Sequence, residues 1–291
     1  MSSLRRINLS SLIIAVTLCF TSNALAQTIV VLRVDASAST GGDGELWSTS
    51  FRYLQDALDE ASASAEDDNL YQIWVAAGTY YPDESEYTQR TAGDRTESFH
   101  LHDFVALYGG FEGDESDLEE RDPALNETIL SGDLSGDDNL TEFLAGDYDT
   151  YDDNSFHVIF STDVGPSAVI DGFTIRGGNA NGSSNATAGA GMFVATSAPT
   201  ISNCIFKANR AIGNGGAIEN ISSNPVIRDS QFLDNVGYLG GAIRNLGSSP
   251  IVVGCVFERN KAQVGGAQFA QQLSDPVMVN WKYNRKLCMT A

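Results

Sequence analysis

The C-terminal half of the chain repeats one pattern of hydrophobic and polar positions. The segment PTISNCIFKANRA at 199–211 is followed by GNGGAI, and similar segments begin at 225 and at 250. In each copy an apolar residue stands two positions after the proline, and a phenylalanine, an asparagine and a Gly-Gly-Ala turn follow it. Equivalent positions lie 25 or 26 residues apart. They are Phe206, Phe232 and Phe257; Asn209, Asn235 and Asn260; and Gly215, Gly240 and Gly265.

A repeat of this period predicts a solenoid. Each copy consists of short β-branched and aromatic segments interrupted by Gly, Asn and Pro, and it lacks helical periodicity. The leucine frame of leucine-rich repeats is also missing. We therefore predict an all-β fold, a right-handed parallel β-helix in which each copy forms one turn, or rung, of about three strands. The segments 169–180 and 189–192 predict earlier copies, and 276–283 predicts a divergent last copy.

Equivalent positions of successive rungs are expected to stack. The phenylalanines should point inward, as should Ile201, Ile227 and Val252. The asparagines suit bends, because Asn adopts left-handed backbone and its amide can bond to the next rung. The glycines suit turns with positive φ. Cys204 and Cys255 would lie two rungs apart, about 9.6 Å, which is too far for a disulfide, so we predict buried free thiols.

The N-terminal half predicts a helix over 48–63, with Ser48 or Ser50 as its N-cap. Phe51, Leu54 and Leu58 fall on one face together with Ala61. Such an amphipathic helix would cover the exposed edge of the first rung. Strands of the early rungs, separated by long insertions, are predicted over 72–76, 99–108, 128–130 and 156–160.

The first 26 residues resemble an export signal. Arg5 and Arg6 precede an apolar stretch at 12–20, and Ala24-Leu25-Ala26 fits a cleavage site. The apolar stretch is short for a membrane span, although a retained N-terminal anchor is the alternative. We therefore expect an exported protein, extracellular or associated with a bacterial outer membrane, without a membrane span in the mature chain. The predicted organisation is a signal peptide (1–26), a lead-in (27–46), a cap helix with early rungs and acidic loops (47–160), regular repeats (161–285) and a tail (286–291).

The charge of the chain narrows the possible partners. It has 38 acidic and 17 basic residues and a net charge of −21. A nucleic-acid binder needs a basic face, so this class is excluded, and docking on anionic lipid is disfavoured. Sixteen of the acids lie between 111 and 154, where Arg121 is the one base.

Two runs in this acidic stretch offer the hard oxygen ligands that Ca²⁺ prefers. The candidate calcium ligands are Asp137, Asp138, Asp147, Asp149, Asp152 and Asp153. Neither run fits the register of an EF-hand, and a solvated acidic loop is the alternative. The predicted fold itself requires no cofactor. His100 and His102 would share one face of a predicted strand, which suits a metal, but no third ligand is identifiable.

Several phrases resemble those of known families. The phrases LQDAL at 54–58, IWVAAGTYYP at 73–82, LYGGFEG at 107–113 and LSGDL at 130–134 resemble bacterial secreted pectin-lyase-like β-helix proteins. The GGAI and Phe-x-x-Asn phrases resemble the repeats of polymorphic outer-membrane proteins and autotransporter-like adhesins. The resemblance covers roughly residues 40–285 and implies the fold. It leaves activity open, because that superfamily combines lyases, hydrolases and noncatalytic surface proteins.

The resemblance to pectin-lyase-like proteins also implies which residues a catalytic site would contain. Lyases of this fold place Asp-bound Ca²⁺ beside a basic residue that removes a proton next to a uronate carboxylate. The rungs offer such residues without a recognisable constellation, so no catalytic residue is assigned. They are Asp171 with Arg176, Asp229 with Arg228, and Arg244 and Arg259.

We therefore expect a secreted or cell-surface protein for adhesion or carbohydrate binding. It would be monomeric, and its partner would be an extracellular polysaccharide or a neighbouring cell surface. One alternative is a polysaccharide lyase or glycoside hydrolase. The other is a passenger fragment of a longer autotransporter-like protein.

Overall fold

The chain folds as a right-handed parallel β-helix. A computed structural model describes residues 28–66, 69–88 and 90–284, so the predicted signal peptide and the tail lie outside the described residues. The strands are β1 Thr28–Val34, β2 Asn69–Ala76, β3 Gly78–Tyr80, β4 Phe99–His100, β5 Val105–Phe111, β6 Thr128–Ser131, β7 Ile159–Thr162, β8 Val169–Asp171, β9 Phe173–Arg176, β10 Asn179–Ala180, β11 Met192–Ala195, β12 Thr200–Ser202, β13 Ile205–Lys207, β14 Arg210–Ala211, β15 Ile218–Ile221, β16 Val226–Arg228, β17 Gln231–Leu233, β18 Val236–Leu239, β19 Ile243–Leu246, β20 Ile251–Val253, β21 Val256–Glu258, β22 Lys261–Val264, β23 Phe269–Gln272, β24 Val277–Val279 and β25 Lys282–Asn284.

These strands form four sheets of parallel pairs. The first sheet has the order β1-β2-β5-β8-β12-β16-β20-β24, and the second has β3-β6-β9-β13-β17-β21-β25. The third is β4-β7-β11-β15-β19-β23, and the fourth is β10-β14-β18-β22. A regular rung such as β12 to β15 therefore has four strands, one more than predicted. The additional strand, β14, follows the bend at Ala208 and is only 2 residues long.

The phenylalanine column is stacked inside the β-helix, as predicted. The ring centroids of Phe206 and Phe232 are 5.1 Å apart, those of Phe232 and Phe257 are 4.8 Å apart, and the rings of each pair are stacked nearly parallel. All three side chains are fully buried. The predicted free, buried state of Cys204 and Cys255 is also confirmed. Ser230 lies between them in the same column: the Cys204 N–H donates to Ser230 Oγ, and the N–H of Val256, next to Cys255, donates to the Ser230 carbonyl oxygen.

The asparagine column bonds from rung to rung, but the bend is made by other residues. Positive φ falls on the residue before each asparagine, for example Ala208 (φ 54°) and Asp234 (φ 59°). The prediction that the asparagines themselves adopt left-handed backbone was therefore wrong. The preceding residue turns the chain, and this leaves Asn209 and Asn235 pointing into the core, where the amide is needed. The glycine column has the predicted positive φ, with 56° at Gly215.

The N-terminal end of the β-helix is covered by the helix α1, Leu54–Ser64, which packs on β1, β2 and β4. Leu54, Leu58 and Ala61 are buried in the main core. The N-cap is Tyr53, so the prediction of a serine cap was wrong: Ser48 belongs to a separate 3₁₀ helix, Trp47–Thr49. Strand β1 lies within the segment given as a lead-in and pairs with β2 along its whole length.

Some early strands are shorter than predicted. The stretch 99–108 is divided into β4 and β5, because the chain turns between them and Phe104 has a φ of 61°. His102 therefore lies beyond the end of β4, and the expected pairing of His100 and His102 on one strand was wrong. The strand predicted over 156–160 begins only at Ile159.

Two long insertions carry most of the acidic residues. The first, 112–127, contains a 3₁₀ helix, Leu118–Glu120. The second, 132–158, contains α2, Leu140–Ala145, and a 3₁₀ helix, Asp149–Tyr151. It packs against the outside of the rungs through a small cluster in which Phe143 and Tyr151 contact Ala208. A last 3₁₀ helix covers Ser184–Thr187. Among the described residues, no helix has the length and apolar character that crossing a membrane requires.

Candidate acidic cleft beside the second sheet

A cleft of about 180 Å³ lies where the second insertion meets the ends of the second-sheet strands. Arg176 ends β9 and Lys207 ends β13, and the two residues are register partners on adjacent rungs. The insertion supplies the opposite wall. The lining residues are Tyr81, Asp133, Gly136, Asp138, Leu140, Tyr151, Arg176, Gly177, Lys207 and Ala208. We call this the acidic cleft.

Asp133 is fixed by backbone donors. Its Oδ1 accepts hydrogen bonds from the N–H groups of Gly136 (2.7 Å) and Asp137 (3.1 Å), and its Oδ2 accepts one from Asp138 (3.2 Å). An aspartate commonly closes a tight turn in this way. Hydrogen bonds to backbone N–H groups stabilise the charged carboxylate, which is buried.

Asp133 forms a triad with two other carboxylates of the insertion. One oxygen each of Asp133, Asp137 and Asp153 lies within 4.8 Å of the others. Asp153 also accepts a hydrogen bond from the Ser135 N–H at 3.1 Å, so both ends of the insertion are joined here. We call these three residues the carboxylate triad.

The structure separates the six predicted calcium ligands. Asp137 and Asp153 belong to the triad, and Asp138 lies beside it. Among the described residues, Asp147, Asp149 and Asp152 are not part of this cluster. The prediction missed Asp133, which lies outside the two acidic runs. The available signal was its spacing before Gly136, which is typical of an aspartate that closes a turn.

Asp138 has the most perturbed carboxyl of the cleft. Burial and, to a smaller extent, the negative charges of Asp133, Asp153 and Asp137 raise its pKa to about 7. The amide Nδ2 of Asn154 opposes this by donating a hydrogen bond to Asp138 at 2.9 Å. Burial, together with the charge of Asp133, also raises the pKa of Tyr81.

Arg176 and Lys207 bring positive charge to the same cleft. Arg176 is exposed and Lys207 is half-buried. Neither side chain forms an ion pair within 4.0 Å or a hydrogen bond with any other residue that the structure describes. The cleft therefore presents two unpaired cations opposite a group of carboxylates.

Three of the residues proposed from the resemblance, Asp171, Arg244 and Arg259, have other partners. Asp171 pairs with Arg121 of the first insertion rather than with Arg176, and it also accepts a hydrogen bond from Asn203. Arg244 pairs with the buried Glu219 of the preceding rung. Arg259 pairs with Asp234 at 2.7 Å, again between adjacent rungs, and with Glu258 at 3.1 Å. These ion pairs join rungs and do not assemble a site.

The histidines lie elsewhere, near the start of the third sheet. His157 is buried, and its Nδ1 is 3.0 Å from the carbonyl oxygen of Gly189. It packs against Phe160 and Phe193, with ring centroids 5.7 and 5.3 Å away. Burial lowers the pKa of all three histidines, including His100. The described residues contain no metal-ligating cluster in which they take part.

Comparison with known proteins supports the fold. Residues 150–280 match the family described as "Right handed beta helix region", which covers the regular rungs of the chain. No curated protein matches the chain. No solved structure matches it either.

Proposed function

We propose that this β-helix is an exported, cell-surface protein that binds an acidic polysaccharide at the acidic cleft. The observation that supports the proposal is that Arg176 and Lys207, on adjacent rungs, are unpaired while carboxylates face them across one cleft. Lys207 is half-buried without a partner, and a ligand carboxylate would pair with it and with the exposed Arg176 beside it. Export is part of the proposal and depends on the predicted signal peptide.

The composition of the cleft suits one unit of a sugar chain. Its volume of about 180 Å³ corresponds to roughly six water molecules in the liquid. Guanidinium and ammonium groups bind a uronate carboxylate, and the Asp133 and Asp138 carboxyls can bond to sugar hydroxyls. The cleft is at the edge of a stack of parallel rungs, so further sugar units could follow the strand ends. Salt would screen the repulsion between such a polyanion and the acidic remainder of the surface.

The proposal is tested by measuring affinity for polygalacturonate, alginate and a neutral glucan. We expect binding of the acidic polymers and at least a tenfold loss in Arg176→Gln and Lys207→Gln. The matched control is Arg228→Gln, which removes an exposed arginine of the first sheet, outside the cleft. Equal loss in all three variants would indicate general electrostatic attraction and would contradict a specific site.

A polysaccharide-cleaving enzyme is the second candidate, because Asp133 and Asp138 line one cleft with two basic residues. Glycoside hydrolases cleave the sugar chain with a pair of carboxyl groups. The lyases among pectin-lyase-like proteins use a basic residue together with bound Ca²⁺. The same polymers are incubated with the protein, with and without Ca²⁺, and new reducing ends or unsaturated uronides are measured. Product formation that is lost in Asp138→Asn, with binding retained, would replace the binding-only function by catalysis.

A further inference from the structure

One buried oxygen atom beside the carboxylate triad, Oδ1 of Asn154, has no hydrogen-bond donor among the described residues. The Asn154 side chain is 0% exposed, so water on the surface does not reach it. Buried polar atoms normally have partners, so an orphaned acceptor beside a group of carboxylates favours a bound cation or donor there.

The orientation of the Asn154 amide is fixed by its other atom. Its Nδ2 donates to Oδ2 of Asp138 at 2.9 Å and to the carbonyl oxygen of Gly177 at 2.6 Å. Rotating the amide by half a turn would place its oxygen against these two acceptors, so Oδ1 has to remain the unpaired atom. Asn154 directly follows Asp153 of the triad, and its Nδ2 bonds to Asp138, so the Asn154 side chain lies beside the acidic cluster.

We infer that the carboxylate triad, with Asp138 and Asn154 beside it, binds one Ca²⁺ ion. Calcium takes six to eight oxygen ligands at about 2.3–2.6 Å, so oxygens on opposite sides of the ion are about 5 Å apart. The triad oxygens, all within 4.8 Å of one another, match that span. The donors are all oxygens without nitrogen or sulfur, which favours a hard cation over zinc. Magnesium demands a stricter octahedron than carboxylates on a loop provide.

The ion would close the second insertion on itself. Asp133 and Asp137 come from its start and Asp153 from its end, so one ion joins both ends of 132–158. Without the ion, repulsion among these carboxylates acts against the same closure. Because this insertion forms one wall of the acidic cleft, Ca²⁺ would order the wall whether or not a sugar binds there.

The inference is tested with metal alone, on the purified protein. Tb³⁺, which replaces Ca²⁺ and luminesces when a nearby tyrosine absorbs light, is titrated and then displaced by CaCl₂. We expect one ion per chain, sensitised through Tyr151 next to the cluster, and a Ca²⁺ dissociation constant of about 0.1–1 mM, as in extracellular calcium modules. Displacement by MgCl₂ should need at least tenfold more salt.

The matched variants are neighbours in the chain. Asp153→Asn removes a triad carboxylate, whereas Asp152→Asn removes the same charge from an exposed position outside the triad. We expect at least a tenfold weaker Ca²⁺ affinity in the first and less than a twofold change in the second. Asp137→Asn, at an exposed position, should repeat the loss without any effect on folding. Equal weakening by Asp153→Asn and Asp152→Asn, or no displacement of Tb³⁺ by 10 mM Ca²⁺, a concentration about ten to a hundred times the expected constant, would overturn the inference.

Discussion

Asn209 and Asn235 are joined across adjacent rungs by two hydrogen bonds to one side-chain oxygen. Oδ1 of Asn235 accepts from the backbone N–H of Asn209 at 3.1 Å and from its Nδ2 at 3.0 Å. Asn235 in turn donates from its own Nδ2 to the carbonyl oxygen of Phe206 at 2.9 Å. Asn260 repeats the arrangement on the next rung. The column therefore satisfies backbone groups that the bend would otherwise leave buried and unpaired.

Asn235→Ala should destabilise the protein strongly. The substitution leaves the backbone N–H of Asn209 and the carbonyl oxygen of Phe206 without these partners in the core, at a cost of about 3 kcal/mol. Urea unfolding measures the change. Gln231→Ala, at an exposed position of the same rung, should cost less than about 0.5 kcal/mol. Similar effects of the two substitutions would show that the ladder contributes little.

Phe232→Ala should also destabilise, through packing. Phe232 is fully buried between the rings of Phe206 and Phe257, so its removal leaves a cavity that the stack cannot fill. The expected loss in the free energy of unfolding is about 4 kcal/mol. Leu233→Ala, at the next and only half-buried position, is the control and should lose about 1 kcal/mol. A cost for Phe232→Ala no larger than this control would contradict the inward stacking.

Acid should weaken the protein partly through His157. Burial lowers its pKa below the ordinary value of 6.5, and His100 lowers it further, whereas the bond to Gly189 opposes this. The folded state thus favours the neutral ring. This contribution is complete above pH 6.5 and is lost as the pH falls towards the pKa of the folded state. Unfolding free energies of the wild type and of His157→Phe, compared from pH 8 to 5, should differ in slope below about pH 6.5. If the unfolding free energies of the two proteins changed in parallel with pH, the proposed contribution of His157 would be contradicted.

Arg121 should hold the first insertion on the first sheet. Its guanidinium donates to the carbonyl oxygen of Gly109 at 2.9 Å, pairs with Asp171 and lies 5.2 Å from the centre of the Tyr108 ring. Arg121→Gln should lower the free energy of unfolding by about 2 kcal/mol. This loss is smaller than that expected for breaking a fully buried ion pair, because the Arg121 side chain keeps some exposure. Limited proteolysis should then cut 112–127 faster. Glu119→Gln, exposed in the same insertion, should leave the cleavage rate unchanged, and equal rates in both variants would contradict the role of Arg121.

The regular rungs were predictable because their information is periodic. A column such as Phe206, Phe232 and Phe257 fixes the register, since any slip by one residue would turn all three rings outward. The same logic explains why Cys204 and Cys255 could be assigned as free thiols. The 25-residue period does not show how many strands and bends each rung has. The short strand β14 depends on positive φ at Ala208, and alanine carries no local signal for that backbone.

The acidic cleft was predictable only in part, because its contacts are not local. The density of acids pointed to the right insertion, but the meeting of Asp137 with Asp153 depends on how 132–158 folds back. Arg176 joins them only because β9 ends where the insertion packs. The pairing of Asp171 with Arg121 likewise depends on an insertion that returns to the first sheet, which no periodic pattern encodes.

The most direct test of the proposed function locates the bound sugar on the protein. Backbone hydrogen exchange is measured with and without saturating oligogalacturonate, in the presence of Ca²⁺. Binding at the acidic cleft predicts slower exchange at 133–140, 176–178 and 207–208, with little change around Arg228 on the first sheet. Protection confined to the first sheet, or no protection at 176–178 and 207–208 under saturating conditions, would contradict the account.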